Sequence, residues 1–102
     1  MENSQSVARQ VSLKEWVEQG EENFAINTGN DNEYWKRAYD DLIKLGCMKV
    51  SVGSSDNNCD YMDMIFIELP ENISASLLCY ICELRPDETN VVSKKVLKLW
   101  WD

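Results

Sequence analysis

Apolar residues recur along this chain first at helical spacing, then in alternation, and then in the same two modes again. Leu13, Trp16 and Val17 fall on one helical face. The run Ser12-Leu13-Lys14-Glu15 in front of them fits a capping box, with Ser12 as N-cap and Glu15 at the third helical position. Gly20 ends this short helix, or loosens it before one further turn through Glu21 to Phe24. Asn27-Thr28-Gly29-Asn30 reads as a loop. Trp35, Ala38, Leu42 and Leu45 then recur at three- and four-residue steps, predicting an amphipathic helix. Asn30 or Asp31 caps it, acidic residues fill its first turn, and Gly46 stands where a C′ glycine belongs.

From Cys47 the period changes to two. Met48, Val50 and Val52 share one face and Cys47, Lys49 and Ser51 the other, as in a half-buried strand. A polar turn over Gly53–Asp60 leads to a second strand, Tyr61–Leu69, apolar on both faces and therefore expected at the centre of a sheet. The pair reads as a hairpin with a long loop. Pro70-Glu71-Asn72 opens a third helix carrying Ile73, Leu77, Ile81 and Leu84 on one face, and Pro86 stops it. Val91-Val92 reads as a short strand and Ser93-Lys94-Lys95 as a turn. The last strand, Val96–Asp102, sets Leu97, Leu99 and Trp101 against Val96, Lys98, Trp100 and Asp102. The predicted order is α-α-β-β-α-β. The expected class is α+β: a two-layer, three- or four-stranded, mostly antiparallel sheet packed with helices. By length residues 1–102 make one domain, with 1–11 expected to fray. The pattern leaves open which hairpin strand the last strand joins.

Composition narrows the function classes. Apolar residues make up 44% and charged residues 27%, an ordinary globular balance. The net charge of −8 is spread evenly, with nine acidic and five basic side chains in each of 1–46 and 47–102. Without a basic cluster, no nucleic-acid partner is expected. The acidity favours solubility and basic protein partners. No run is long and apolar enough for a membrane span, and MENSQSVARQ lacks the apolar segment of a signal peptide. Four cysteines without a secretory signal point to free thiols and a cytoplasmic location. There the sequon Asn72-Ile73-Ser74 carries no glycan.

Candidate chemistry is thin. The chain has no histidine, which removes Ser-His, Cys-His and His-ligated metal sites. Cys79-x-x-Cys82 lies within the third helix, away from the helix N-terminus that would activate a thiol, and reads as two buried core cysteines. A zinc site would need Cys47 and Cys59 to join them, and their spacing is not that of a zinc knuckle. Asp56-Asn57-Asn58-Cys59-Asp60 starts like a calcium loop, but Tyr61 stands where glycine is needed and Ile67 where the bidentate glutamate is needed. Asp40-Asp41, Glu21-Glu22 and Asp87-Glu88 are neighbours along the chain, not carboxylates facing each other across a cleft. Arg85, between Leu84 and Pro86 and near Asp87 and Glu88, reads as half of a buried ion pair that fixes the turn, and Met48, Met62 and Met64 as core filling.

Trp100 is the informative residue. Lys98 shares its strand face, so that face is not fully buried. Trp100 must then be covered by an N-terminal helix or by another molecule. Val96, Lys98 and Trp100 form the candidate interface.

Glu83-Leu84-Arg85-Pro86-Asp87-Glu88, followed by Leu97-Lys98-Leu99-Trp100-Trp101-Asp102, resembles the ending of small uncharacterised bacterial proteins, some carried in mobile gene cassettes. The resemblance spans the third helix and last strand. It implies a bacterial source and brings no activity with it. The expected function is therefore a non-catalytic accessory protein that binds protein, either a basic partner or itself as a homodimer, with no cofactor or metal. One alternative is an acidic inhibitor of the immunity-protein kind that covers a basic active site. Another is a small-molecule binder or enzyme with a pocket between sheet and helices, lined by Tyr61, Tyr80, Trp35 and a carboxylate.

Overall fold

The computed structural model describes residues 7–19, 24–25, 28–54 and 62–101, with 7–10 described by their backbone. Readings made on residues 1–6, Gly20 to Glu22, the Asp56–Asp60 loop, Tyr61 and Asp102 lie outside the described residues.

The helix signals act as their chemistry predicts. Glu15 N–H donates to Ser12 Oγ (3.1 Å) and Ser12 N–H to Glu15 Oε1 (3.3 Å), closing the capping box of α1 (Leu13–Gln19). Asp31 accepts from Tyr34 N–H (3.0 Å) and caps α2 (Asn32–Lys44). That helix ends in a complete Schellman motif: Gly46 N–H donates to Ile43 O (3.0 Å) and Cys47 N–H to Leu42 O (3.1 Å). The motif needs a left-handed residue, and Gly46 supplies φ +107°. The third helix, α3 (Ala75–Glu83), begins later than Pro70-Glu71-Asn72 predicts. Ser74 is its N-cap, accepting from Leu77 N–H (3.1 Å), because a serine hydroxyl there satisfies an orphan amide. Ile73 is consequently left outside the helix and exposed.

Five antiparallel strands form one sheet: β1 (Val7–Ser12), β2 (Lys49–Ser54), β3 (Met64–Glu68), β4 (Glu88–Val91) and β5 (Val96–Trp100), in the spatial order β1-β2-β3-β5-β4. The α+β class holds, with an element order β-α-α-β-β-α-β-β. One strand, β1, exceeds the expected three or four, and β4 stands at Glu88–Val91 where the sequence pattern predicts Val91-Val92. β1 occupies part of the stretch expected to fray. It pairs Ala8 with Gly53 and Ser12 with Ser51 across an irregularity. It lies on the sheet edge, where ladder bonds on one side suffice and the hydrophobic pattern can stay weak. β4 is the other edge and is exposed throughout. β3 sits at the centre, as its two apolar faces require. β5 joins β3, with Ile65 opposite Leu99 and Phe66 opposite Lys98.

One face of the sheet carries the core. Val50, Val52, Ile65, Ile67 and Leu99 pack with Leu13 and Val17 of α1, Trp35, Ala38 and Leu42 of α2, and Leu77 and Ile81 of α3. Phe24, Trp35 and Trp101 meet edge to face, with centroids 4.8 Å (Phe24–Trp35), 4.9 Å (Trp35–Trp101) and 6.0 Å (Phe24–Trp101) apart. Among the described residues no helix is long and apolar enough to cross a membrane.

α3 ends differently from α2. Arg85 N–H donates to Cys82 O (3.0 Å), but the next residue is Pro86, which has no N–H to complete the motif. Ile81 O accepts from Leu84 N–H (3.2 Å) instead, and the Leu84 carbonyl is satisfied from outside the helix: the Trp101 indole N–H donates to it (3.0 Å) in the buried core. By contrast, Trp35 Nε1 is fully buried and has no hydrogen-bond partner among the described residues.

Two outcomes follow. Leu99 is fully buried, so Leu99→Ala should lower unfolding free energy by about 2–5 kcal/mol in urea; a loss under about 0.5 kcal/mol would mean the strand faces are reversed. Trp101→Phe and Trp35→Phe remove the same atoms, but only the first strands a buried carbonyl. Trp101→Phe should cost about 1–3 kcal/mol more than Trp35→Phe.

Candidate functional site

Val96, Lys98 and Trp100 project to the sheet face opposite the helices, as their alternation requires. The pairing registers set them in cross-strand rows: Gly53, Met64, Trp100 and Glu88 in one; Ser51, Phe66, Lys98 and Asn90 in the next; Lys49, Glu68 and Val96 in the third. No described helix lies on this face. Ser51 and Met64 are buried there, whereas Phe66, Glu68, Val96, Lys98 and Trp100 are half-buried.

Trp100 is held in place. Its indole N–H donates to Asp63 Oδ2 (3.1 Å). Asp63 is itself buried between strands: its N–H donates to Gly53 O (3.1 Å), and its carbonyl accepts from Trp101 N–H (3.1 Å). Asp63 thus anchors both tryptophans, one on each side of the sheet. Sequence reasoning missed it because a single aspartate before a strand carries no distinguishing signal.

The pocket expected from Tyr61, Tyr80 and Trp35 does not assemble. Trp35 is sealed in the aromatic core, and Tyr61 lies outside the described residues. Tyr80 instead donates to Asp41 Oδ2 (2.9 Å), bridging α3 to α2. Burial raises the Tyr80 pKa, and Asp41, which accepts its hydrogen bond, raises it further. Burial and then the charge of Glu83 raise Tyr34 in the same way. Both phenols stay protonated.

A different cleft opens at the C-terminal end of α3. It encloses about 380 Å³ among Asn30, Tyr34, Glu83, Arg85, Asp87 and Trp101. Arg85 is exposed and left-handed (φ +56°), a conformation that an L side chain adopts at a cost. It therefore does not form the buried ion pair expected of it; it serves as the residue that turns the chain out of α3. Only the dipeptide Arg85-Pro86 hinted at this corner. Trp101, at the base of the cleft, has its indole N–H already committed to Leu84.

The cysteines also depart from expectation. Cys79 and Cys82 are both exposed, and Cys47 is buried. The cause is that α3 is apolar on nearly every side, and Leu77, Ile81 and Leu84 take the inner face. Burial pushes the Cys47 thiol up to about 11, leaving it inert. Met62 and Met64 are buried as expected, but Met48 stands ahead of β2 at 70% exposure.

No protein family, curated protein or solved structure matches this chain.

The strained corner gives a direct test. Arg85→Gly relieves the left-handed conformation and should raise unfolding free energy by about 0.5–1 kcal/mol, read from the urea midpoint. Destabilisation would show that the Arg85 side chain holds the corner together.

Proposed function

We propose that this chain is a non-catalytic protein-binding module that meets its partner through the helix-free face of its sheet, around Trp100. The observation that supports this reading is the grouping of Val96, Lys98 and Trp100 with Phe66 on a face that no described helix covers. An aromatic ring already fixed by a hydrogen bond loses little conformational freedom on binding, and such rings anchor interfaces. The Trp100–Asp63 bond supplies that fixation. A chain of net charge −8 steers basic proteins toward itself and repels its own copies. The favoured partner is therefore a basic protein, and an inhibitor that seals a basic active site is one form such binding takes. A second copy is the other occupant of this face.

The cleft at Tyr34, Glu83, Arg85 and Asp87 favours a second reading, a site for a small polar ligand, since its volume falls within the usual range for ligand pockets.

Light scattering of the wild type and of Trp100→Ala, both stripped of metal, first decides whether a second copy occupies the sheet face. Where the wild type is monomeric, capture of basic proteins at low and high salt replaces it as the readout. Trp100→Ala should weaken association roughly thirtyfold or more, the effect of losing an anchor worth about 2 kcal/mol. Trp100→Phe gives up the Asp63 bond but keeps a ring, and should retain most of the binding. Equal loss in both variants would reduce Trp100 to a structural role. No loss in either would remove this face from the binding surface.

A further inference from the structure

We propose that Cys79 and Cys82 form half of a zinc site that a second copy of this chain completes, so that zinc joins two molecules through their α3 helices. The proposal does not rest on the sheet face and concerns the other side of the molecule.

Three observations carry it. First, both thiols are free and exposed, three residues apart on a regular helix. Side chains at that spacing have Cβ atoms about 5–6 Å apart. A disulfide needs about 3.5–4.5 Å, so the pair cannot close on itself without bending α3. Two thiolates on one tetrahedral zinc, each at about 2.3 Å, stand about 3.8 Å apart, a span that side chains from this spacing reach by rotation. The same helical geometry that opposes a disulfide suits a shared metal ion.

Second, among the described residues the helix brings only these two thiols together. Among the described residues no group of three or more thiol, carboxylate or imidazole side chains could hold a metal. Cys47 is buried in the core and cannot reach the exposed pair. Structural zinc takes four ligands, and two pairs of this spacing, one from each copy, make such a set.

Third, the surroundings permit two acidic chains to meet. Ala75, Leu78, Cys79 and Cys82 recur at three- and four-residue steps along the exposed side of α3, and Leu78 is 53% exposed. Ile73 lies exposed just before the helix. Glu83, at the last position, is the only charged residue in Ala75–Glu83. On a chain of net charge −8, this uncharged strip is a place where like copies approach without direct repulsion. The strip alone is too small for a stable dimer, which buries about 800 Å² per partner. The metal supplies the missing affinity.

Binding releases protons. Four thiols lose one proton each as four sulfur–zinc bonds form, and the zinc with four thiolates carries a net charge of −2. Arg85, exposed three residues past Cys82, places a positive charge at the same end of α3.

The test uses the full chain, reduced and stripped of metal. Zinc is titrated while light scattering follows the mass, and cobalt(II) replaces zinc to report the ligands by its absorption. The expected result is a doubling of mass at one zinc per two chains, with the thiolate charge-transfer and tetrahedral cobalt bands. Cys79→Ser and Cys82→Ser should each abolish the doubling and leave the circular dichroism unchanged, because both positions are exposed. Cys47→Ser should keep the doubling. One zinc per chain without a change in mass, no uptake, or uptake that survives the double Cys79→Ser, Cys82→Ser variant would each overturn the proposal. The Trp100→Ala variant should dimerise with zinc as the wild type does, so a failure of the sheet-face reading is distinguishable from a failure here.

Discussion

The indole of Trp101 holds three parts of the chain together. Its ring stacks edge to face against Trp35 of α2 and Phe24 of the loop before α2, and its N–H donates to Leu84 at the end of α3. Its own backbone N–H is bound to Asp63 at the start of β3. Helix α3 is tied down by this residue, which satisfies the Leu84 carbonyl at its C-terminal end. The five-stranded sheet, the helix layer and the cleft beside Arg85 converge on this ring. Trp100, one residue earlier, faces the other side and is tied to the same aspartate. The sheet face that carries Trp100 is thus held by the core behind it.

Local chemistry made much of this readable from the sequence. The Ser12–Glu15 box, the Asp31 cap and Gly46 each act within a few residues, so they mark their helices without knowledge of the fold. The alternation over β2, β3 and β5 reports which side meets the helices, and it places Trp100, Lys98 and Val96 together correctly. The edge strands were harder to read. β1 and β4 are bonded on one side only, so their side chains carry little of the period that marks a buried strand. Phe24 escaped because a core residue in a loop has no periodicity to announce it.

The cysteines show a deeper limit. Helix α3 has two apolar stripes, one through Leu77, Ile81 and Leu84 and one through Ala75, Leu78, Cys79 and Cys82. A period of 3.6 identifies both but does not say which turns inward. The longer side chains took the core, and the thiols were left outside. The sheet and its helices therefore present two unlike surfaces on opposite sides of a thin molecule: an aromatic one behind the strands and a thiol-bearing one outside the helices. Two copies joined at the helices would hold two partner-binding faces outward, and a partner with repeated epitopes would be held by avidity and not by affinity alone.

The order of the strands in space has a consequence for how the chain reaches this state. β2 and β3 are neighbours in sequence and can pair as soon as they are made. β5 must then insert between β3 and β4, and it emerges last of the five during synthesis. Until it arrives, Met64–Glu68 presents an unpaired edge with the sequence MIFIE, nearly free of charge. An open, apolar edge of that kind invites pairing with another nascent chain. The edge closes only when β5 pairs with it, so the state in which β2 and β3 have joined without β5 is the one most prone to aggregate.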